Sequence, residues 1–465
     1  MENVREIILD TLLSLERDGG LSHQLIRSVL NKYDYLDARD KRYLKRVTEG
    51  TLERRLEIDH YLDHFSTVPV RKMKPLIRNL MRMSVYQLLY MDSVPDSAVC
   101  NEACKLAEKR KFHALKGFVN GVLRKIAREK NALPLPDREK DPVAWACVKY
   151  SMPELITRAW IDEYGQEVTE RILEGLLEIC PVSLRIPETC PESERKAIRE
   201  ELLAAGIQVE QSPYDEKVLL ARDVLGVEEL PGFAEGKLTV QDVSSVLAIK
   251  QAGIKEGDLV VDACGAPAGK SILASELAGE TGKVICGDVA EKKMEIMREN
   301  VARMNGKNIE IRHWDARVAE ADLIGKADVL LLDVPCSGLG VMGKKRDVKY
   351  HASEEGFREL EQLQKEILQE AWKYVKPGGT LLYSTCTVRK EENRDAVRWI
   401  LKNLPFEPIS VKESLPKAVN EAARAEKKAL REPLEEWEDC CVQLLPGLSR
   451  SDGFFFARFR RKMDD

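Results

Sequence analysis

The chain has 465 residues, 44% of them hydrophobic and 32% charged, and at ~150 residues per domain it is expected to form about three globular domains. No apolar run approaches the ~18 residues of a membrane span. The opening M-E-N-V-R-E-I-I-L-D is neither a signal peptide nor a transit peptide, so a cytosolic protein is expected. The net charge of −5 hides an asymmetry: residues 1–130 hold 25 Lys and Arg against 18 Asp and Glu, net +7. A basic block on an acidic body points to a polyanionic partner or to a solvated helical face.

Residues 1–130 read as helices throughout. Val4, Ile7, Ile8, Leu12 and Leu15 make one apolar stripe, and Leu44, Val47, Leu52, Leu56 and Ile58 make another. Leu76 through Leu89 is nearly continuous apolar sequence, the mark of a buried helix. Asp96 or Ser97 is placed to cap the next helix, through Ala98, Cys100, Ala103 and Leu106. Pro134, Pro136 and Pro142 mark a linker. Residues 150–235 mix two helical patterns with β-rich runs at 182–186 and 218–221, a small α+β module.

From about 238, buried-looking strands alternate with amphipathic helices. The strands are L-V-V-D-A-C (259–264), K-V-I-C-G-D (283–288), I-E-I-R-H-W-D (309–315), V-L-L-L-D-V (329–334) and T-L-L-Y-S-T-C (380–386). The helices fall at about 270–278, 291–305 and 357–375. This alternation predicts a parallel, doubly wound α/β sheet with both faces covered. C-C-V-Q-L-L-P (440–446) and G-F-F-F-A-R-F (453–459) are expected to close the chain as a strand pair.

Ligands of such sheets sit beyond the carboxyl ends of the strands. Those ends carry Asp262, Asp288, Asp315 and Asp333. D-A-C-G-A-P-A-G-K-S (262–271) follows the first strand, and its glycines allow close backbone approach to a ligand. It misses a P-loop because Cys264 stands where the first glycine is required. Asp288 is placed for ribose hydroxyls, or to cap the following helix, and Asp315 for a base edge. A nucleoside cofactor without a polyphosphate fits best, and S-adenosylmethionine is the candidate.

The eleven cysteines include no C-x-x-C pair, so no zinc or other metal site is expected. The odd count and the opening sequence argue against a disulfide framework. Cys336, in D-V-P-C-S-G-L-G (333–340), and Cys386, in S-T-C-T (384–387), fall at neighbouring strand ends. Two thiols and an acid beside a methyl donor suit pyrimidine-C5 chemistry. A thiolate adding to C6 turns C5 into an enamine carbon able to attack a methyl group. An acid near N3 supports the adduct, and a base must then remove the C5 proton. On the residues alone, either cysteine can be the nucleophile.

D-A-C-G-A-P-A-G-K-S, D-V-P-C-S-G-L-G, Y-S-T-C-T-V-R-K-E-E-N, L-T-V-Q-D-V-S-S (238–245) and D-G-F-F-F-A-R (452–458) together resemble the RNA cytosine-C5 methyltransferase (NOL1/NOP2/Sun) family. V-P-D-S-A-V-C-N-E-A-C (94–104) and F-V-N-G-V-L-R (118–124) resemble the NusB-type RNA-binding domain. The fusion is similar to bacterial members that methylate small-subunit ribosomal RNA. The resemblance implies a multi-domain chain: an all-α NusB-like domain at 1–140, a small α+β RNA-binding module at 150–235, and a Rossmann-like methyltransferase domain at 236–463. It implies a monomeric, cytoplasmic enzyme using S-adenosylmethionine. Cys264, Gly265, Ala266, Pro267, Ala268, Gly269 and Lys270 would form the cofactor loop, with Asp288 on the ribose and Asp315 near the adenine. Asp333 would touch both cofactor and target base, Cys386 would attack, and Cys336 would assist release. Lys105, Lys109, Arg110, Lys111, Lys116 and Arg124 would meet RNA phosphates. The chain departs from the family's pattern at Ala268, where a glycine is usual, at Arg346, where a proline is usual, and at Pro187, where an asparagine is common. Competing readings are a same-fold methyltransferase with another target and a non-catalytic RNA-binding or antitermination factor. The paired cysteines argue against the second, because a binding module needs neither thiol.

Overall fold

The computed structural model describes residues 3–178, 181–222, 224 and 226–463. Cys180 lies outside them. The chain folds into two compact units, residues 1–173 with 344–352, and residues 174–343 with 353–465. No helix among the described residues is long and apolar enough to cross a membrane.

The first unit is helical: α1 (Val4–Asp18), α2 (Ser22–Lys32), α3 (Ala38–Glu53), α4 (Arg55–Phe65), α5 (Pro75–Tyr90), α6 (Asp96–Lys109), α7 (Lys116–Glu129), α8 (Pro142–Lys149) and α9 (Glu154–Tyr164). Ile7, Ile8, Leu12 and Leu15 are buried as the stripe predicts, and Leu80, Met81 and Val85 of α5 are inaccessible at the centre. Asn3 caps α1 by accepting from the Arg5 amide, and Gly19 ends it with φ 64°.

Two local expectations fail here. The stripe from Leu44 to Ile58 is not one helix, because it breaks at Arg54. The break is held from outside: the Ser151 hydroxyl accepts from the Leu56 and Glu57 amides, and Tyr350 donates to the Leu52 carbonyl at 2.8 Å. Asp96 and Ser97 do not cap α6. Pro95 occupies the cap position, its ring fixing φ for helix entry, and the Asp96 carboxylate takes Lys130 Nζ at 3.0 Å instead.

Residues 344–352 belong to this unit although the sequence around them belongs to the other. The Asp347 carboxylate accepts from the amide and hydroxyl of Ser22, both at 2.7 Å. It thereby caps α2, whose own cap residue Leu21 offers no side-chain acceptor. Lys349 Nζ donates to the Glu53 carbonyl at the end of α3, at 2.8 Å. Arg346 pairs with Glu53.

The second unit begins within α10 (Gln166–Leu177). A four-stranded sheet follows, from β1 (Val182–Arg185), β2 (Gln208–Gln211), β3 (Val218–Arg222) and β4 (Thr239–Val240), in the order β2-β3-β1-β4, with α11 (Glu192–Ala204) beside it. Next come α12 (Val243–Gln251), β5 (Leu259–Asp262), α13 (Gly269–Ala278), β6 (Lys283–Asp288), α14 (Glu291–Arg303), β7 (Ile309–His313), β8 (Ala327–Asp333), α15 (Glu354–Ala371) and β9 (Val375–Thr385). The last elements are α16 (Arg394–Asn403), β10 (Phe406–Pro408), α17 (Lys417–Ala429), β11 (Cys441–Leu444) and β12 (Phe454–Arg461). The large sheet runs β10-β12-β9-β8-β5-β6-β7, with β5 to β9 mutually parallel and β12 antiparallel to β9. Neighbouring strand residues enter opposite cores. Val260, Leu331, Leu382 and Phe456 lie in one, and Val261, Leu330, Leu381 and Phe455 in the other. Burial on both faces is why these strands read as unbroken apolar runs. Arg185 of β1, fully buried, makes a bidentate pair with Glu276 of α13 at 2.7 and 3.0 Å, which ties the small sheet to the large one.

Candidate active site

The strand order reverses between β5 and β8, and the predicted strand-end residues gather at that switch point. Asp262 ends β5 with no exposed surface. Its Oδ2 accepts from the Ser271 hydroxyl at 2.6 Å, while Oδ1 is buried with no hydrogen-bond partner. Burial pushes this carboxyl up to about 6, against the pull of Ser271 and Lys270. Gly265 admits no side chain, since a Cβ there would meet Cys286 Sγ at 2.3 Å and the Asp262 carboxylate at 3.0 Å. Ala268 sits at φ 77° at the start of α13. The left-handed turn explains the family's glycine at this position, and an alanine holds it at a cost of about 1–2 kcal/mol.

Asp288 ends β6 almost fully buried. It accepts from the Ala290 amide at 3.0 Å and pairs with Lys293 at 3.3 Å. It does not cap α14, whose cap position is Ala290. Asp315 is engaged by the backbone and guanidinium of Arg317, and the Arg317 hydrogen bond holds its carboxyl below the usual range. Between these two acids, Trp314 is buried and donates to the Ala263 carbonyl at 3.2 Å. No short motif marks it. Only the fold reveals its close fit over Gly287, where a Cβ would come within 2.4 Å of the Trp314 ring.

Asp333 ends β8. Its Oδ2 takes Lys270 Nζ at 2.6 Å and its Oδ1 takes the Ser384 hydroxyl at 2.8 Å. Lys270 therefore joins the cofactor-loop motif to the cysteine motifs. Burial works against its charge, but the Asp333 carboxylate, with help from Asp262 and Cys386, holds its pKa above the ordinary value. Neither Lys270–Asp333 nor Ser384–Asp333 was predicted, because the three residues are far apart in the chain.

The two cysteines meet: Cys336 Sγ and Cys386 Sγ are 3.3 Å apart, and both residues are half-buried. The Cys386 sulfur first, then burial, pushes the Cys336 thiol well up. Gly340 of the first motif donates to the Cys386 carbonyl at 3.0 Å and accepts from the Gly453 amide at 2.9 Å. A Cβ on Gly340 would lie 1.9 Å from the Gly453 carbonyl, so D-G-F-F-F seats against G-L-G only through glycine. Burial likewise pushes the thiols of Cys264 and Cys286 far up. None of the ten described cysteines forms a disulfide, and no metal-binding cluster occurs among the described residues. On the helical unit, four of the predicted phosphate contacts are engaged in surface ion pairs: Lys105 with Glu102, Lys109 with Glu6, Arg110 with Asp10, and Lys116 with Glu108.

Residues 251–460 match the 16S rRNA methyltransferase RsmB/F family, and residues 2–128 match the NusB family. A probable ribosomal RNA small subunit methyltransferase B of Bacillus subtilis is 34% identical over 99% of both chains. Ribosomal RNA small subunit methyltransferase B of Salmonella paratyphi B is 30% identical over 91% of both. A solved structure titled PH0851 superposes with a TM-score of 0.78 at 26% identity, covering 99% of each chain. The chain thus belongs to the ribosomal RNA small subunit methyltransferase B family, with a NusB-family domain preceding the methyltransferase domain.

Proposed function

We propose that this chain transfers a methyl group from S-adenosylmethionine to C5 of a cytosine in small-subunit ribosomal RNA, through a covalent bond between Cys386 and C6. The observation that carries the reading is the pair of sulfurs 3.3 Å apart beside the Lys270–Asp333 ion pair. The cofactor residues fit: Gly269 leaves room for close backbone approach, whereas Gly265 is required by packing against Cys286 and Asp262; Asp262 Oδ1 is a buried acceptor without a donor, and Asp288 offers a carboxylate for ribose hydroxyls. Asp315 is assigned to the adenine side. S-adenosylmethionine, when bound, supplies an electrophilic methyl group.

Attack is assigned to Cys386, as the family resemblance implies; beside it the Cys336 thiol is pushed up by the Cys386 sulfur and by burial. The Cys386 sulfur bonds to C6 and the C5 carbon takes the methyl, with Asp333 supporting the ring. Cys336 gives its proton to solvent and, as the thiolate, takes the C5 proton; the electron pair left at C5 re-forms the C5–C6 double bond and expels Cys386 from C6 as its thiolate. The helical unit is assigned to RNA affinity.

The test uses transcribed small-subunit ribosomal RNA and radiolabelled S-adenosylmethionine. Cys386→Ala abolishes both methylation and any covalent adduct. Cys336→Ala transfers the methyl but stalls, leaving an adduct stable to denaturing electrophoresis. The reverse pattern would exchange the two roles. Methylation that persists in both variants without an adduct would sink the covalent mechanism.

A further inference from the structure

The two cysteines stand on separate loops, 50 residues apart in the chain, and their sulfurs meet only if both loops are held in register. Two consecutive residues at the start of α16 hold them. Glu392 has no exposed surface. Its carboxylate accepts from the Ser337 amide at 2.9 Å, from the Ser337 hydroxyl at 2.5 Å and from Gln364 Nε2 at 3.0 Å. Ser337 adjoins Cys336. The Glu392 carbonyl accepts from the Tyr383 hydroxyl at 2.7 Å. Asn393, 1% exposed, donates to the Thr387 carbonyl at 3.1 Å and accepts from the Thr385 hydroxyl at 2.6 Å, gripping the residues on either side of Cys386. The Ser337 and Thr387 hydroxyls close the ring at 2.7 Å.

Removing a carboxylate from water is costly unless it is paired and hydrogen-bonded. Here the donors converge on one atom group beside Cys336, with Arg389 at 3.8 Å as the nearest counter-charge. Burial pushes the Glu392 carboxyl up, and the Ser337 donors draw it back. Asn393 and the threonines could orient the Cys386 loop by themselves. Glu392 is the member whose side chain reaches the Cys336 turn.

We propose that Glu392 is a positioning residue for the release step, setting Cys336 against Cys386 through Ser337 without touching the substrate. The inference rests on the cysteine chemistry proposed above. It assigns the second acid of the E-E-N run a different task from that of Asp333.

The decisive readout does not depend on the reaction. Dibromobimane, a bifunctional thiol reagent, is applied to the full-length protein, and the Cys336–Cys386 bridge is identified by peptide mass mapping, with Cys336→Ala as background. The wild type forms the bridge, and Glu392→Gln loses at least nine-tenths of it while its melting temperature and its affinity for S-adenosylmethionine stay within twofold-equivalent limits. Glu392→Asp, which keeps the charge, restores part of the bridge. In the methylation assay Glu392→Gln lowers kcat at least tenfold with KM for RNA unchanged, and accumulates the gel-stable adduct. Bridging at the wild-type level in Glu392→Gln would overturn the proposal. So would a joint collapse of folding, cofactor binding and bridging in both Glu392 variants, which a purely structural role would produce. If bridging is lost as expected but no variant, Cys336→Ala included, ever yields an adduct, the positioning stands and the covalent reading fails.

Discussion

Lys270, at the strand ends of the α/β unit, and Lys349, in the segment 344–352 of the helical unit, are both carried largely out of water, and their charges go opposite ways. Lys270 is 18% exposed and lies 2.6 Å from Asp333, whose carboxylate outweighs burial and raises its pKa. Lys349 is 3% exposed and donates to one backbone carbonyl. Burial first, then Arg54, Arg346 and Arg55, sends its pKa well below the ordinary value, and Glu57 opposes them only in part. The first lysine is a charge held by its carboxylate partner. The second caps a helix, its Nζ donating to the Glu53 carbonyl. Each is one lysine in a short motif, P-A-G-K-S or D-V-K-Y; a paired carboxylate on one side and three neighbouring arginines on the other separate them.

The largest effect expected in this comparison comes from removing that carboxylate. Asp333→Ala leaves Lys270 without its partner and costs about 3 kcal/mol in urea unfolding of the α/β unit, the lower end for breaking a buried pair. It also removes an alkaline sensitivity. A lysine raised on folding stabilises below its unfolded value of 10.5 and loses that contribution as pH climbs through the folded value. The wild type therefore weakens above pH 10.5 relative to Asp333→Ala. Equal stability of the two proteins at neutral pH would show that Lys270 is not charged in the folded state.

A smaller effect separates carboxylates that hold the protein together from those kept for ligands. Asp288→Ala weakens S-adenosylmethionine binding by about 1–3 kcal/mol, the scale of hydrogen bonds to a charged acceptor, with little change in unfolding. Calorimetry finding unchanged affinity would remove Asp288 from the site.

The smallest effect is at Lys349. Lys349→Met removes a lysine whose charge burial and the neighbouring arginines disfavour, and changes stability at neutral pH by about 1 kcal/mol or less. The pH dependence is the sharper sign. A lysine depressed on folding binds fewer protons folded than unfolded, so its penalty is relieved as pH rises toward 10.5. The wild type gains on Lys349→Met over that range, and parallel curves would mean that Lys349 stays charged.

The chemistry was legible where it depends on short stretches of chain. Four of the five strand cores follow from apolar runs buried on both faces, the edge strand β7 being only partly buried, and Cys336 and Cys386 follow from glycine- and proline-marked turns just beyond strand ends. The partners of those residues were not legible. Lys270 reads as part of a cofactor loop until β5 and β8 lie side by side and bring Asp333 to it. Glu392 reads as one more acid at a helix start, and only burial beneath Ser337 gives it a task. Beside Arg54, helical periodicity continues through a break whose open backbone groups are satisfied by Ser151, Lys349 and Tyr350.

By itself the sequence determined the alternation of the parallel strands with their helices, the family, and which residues could do chemistry, because periodicity, turn residues and motif spacing are local properties of the chain. The tertiary structure decided which of those residues meet. It inserted β12 antiparallel against β9, so that Gly453 reaches Gly340 and the Cys386 loop. It lent residues 344–352 to the helical unit, where Asp347 caps a helix that has no cap of its own. The reason is the same in each case: a buried donor, acceptor or charge must find a partner, and in these cases the partner lies dozens to hundreds of residues away.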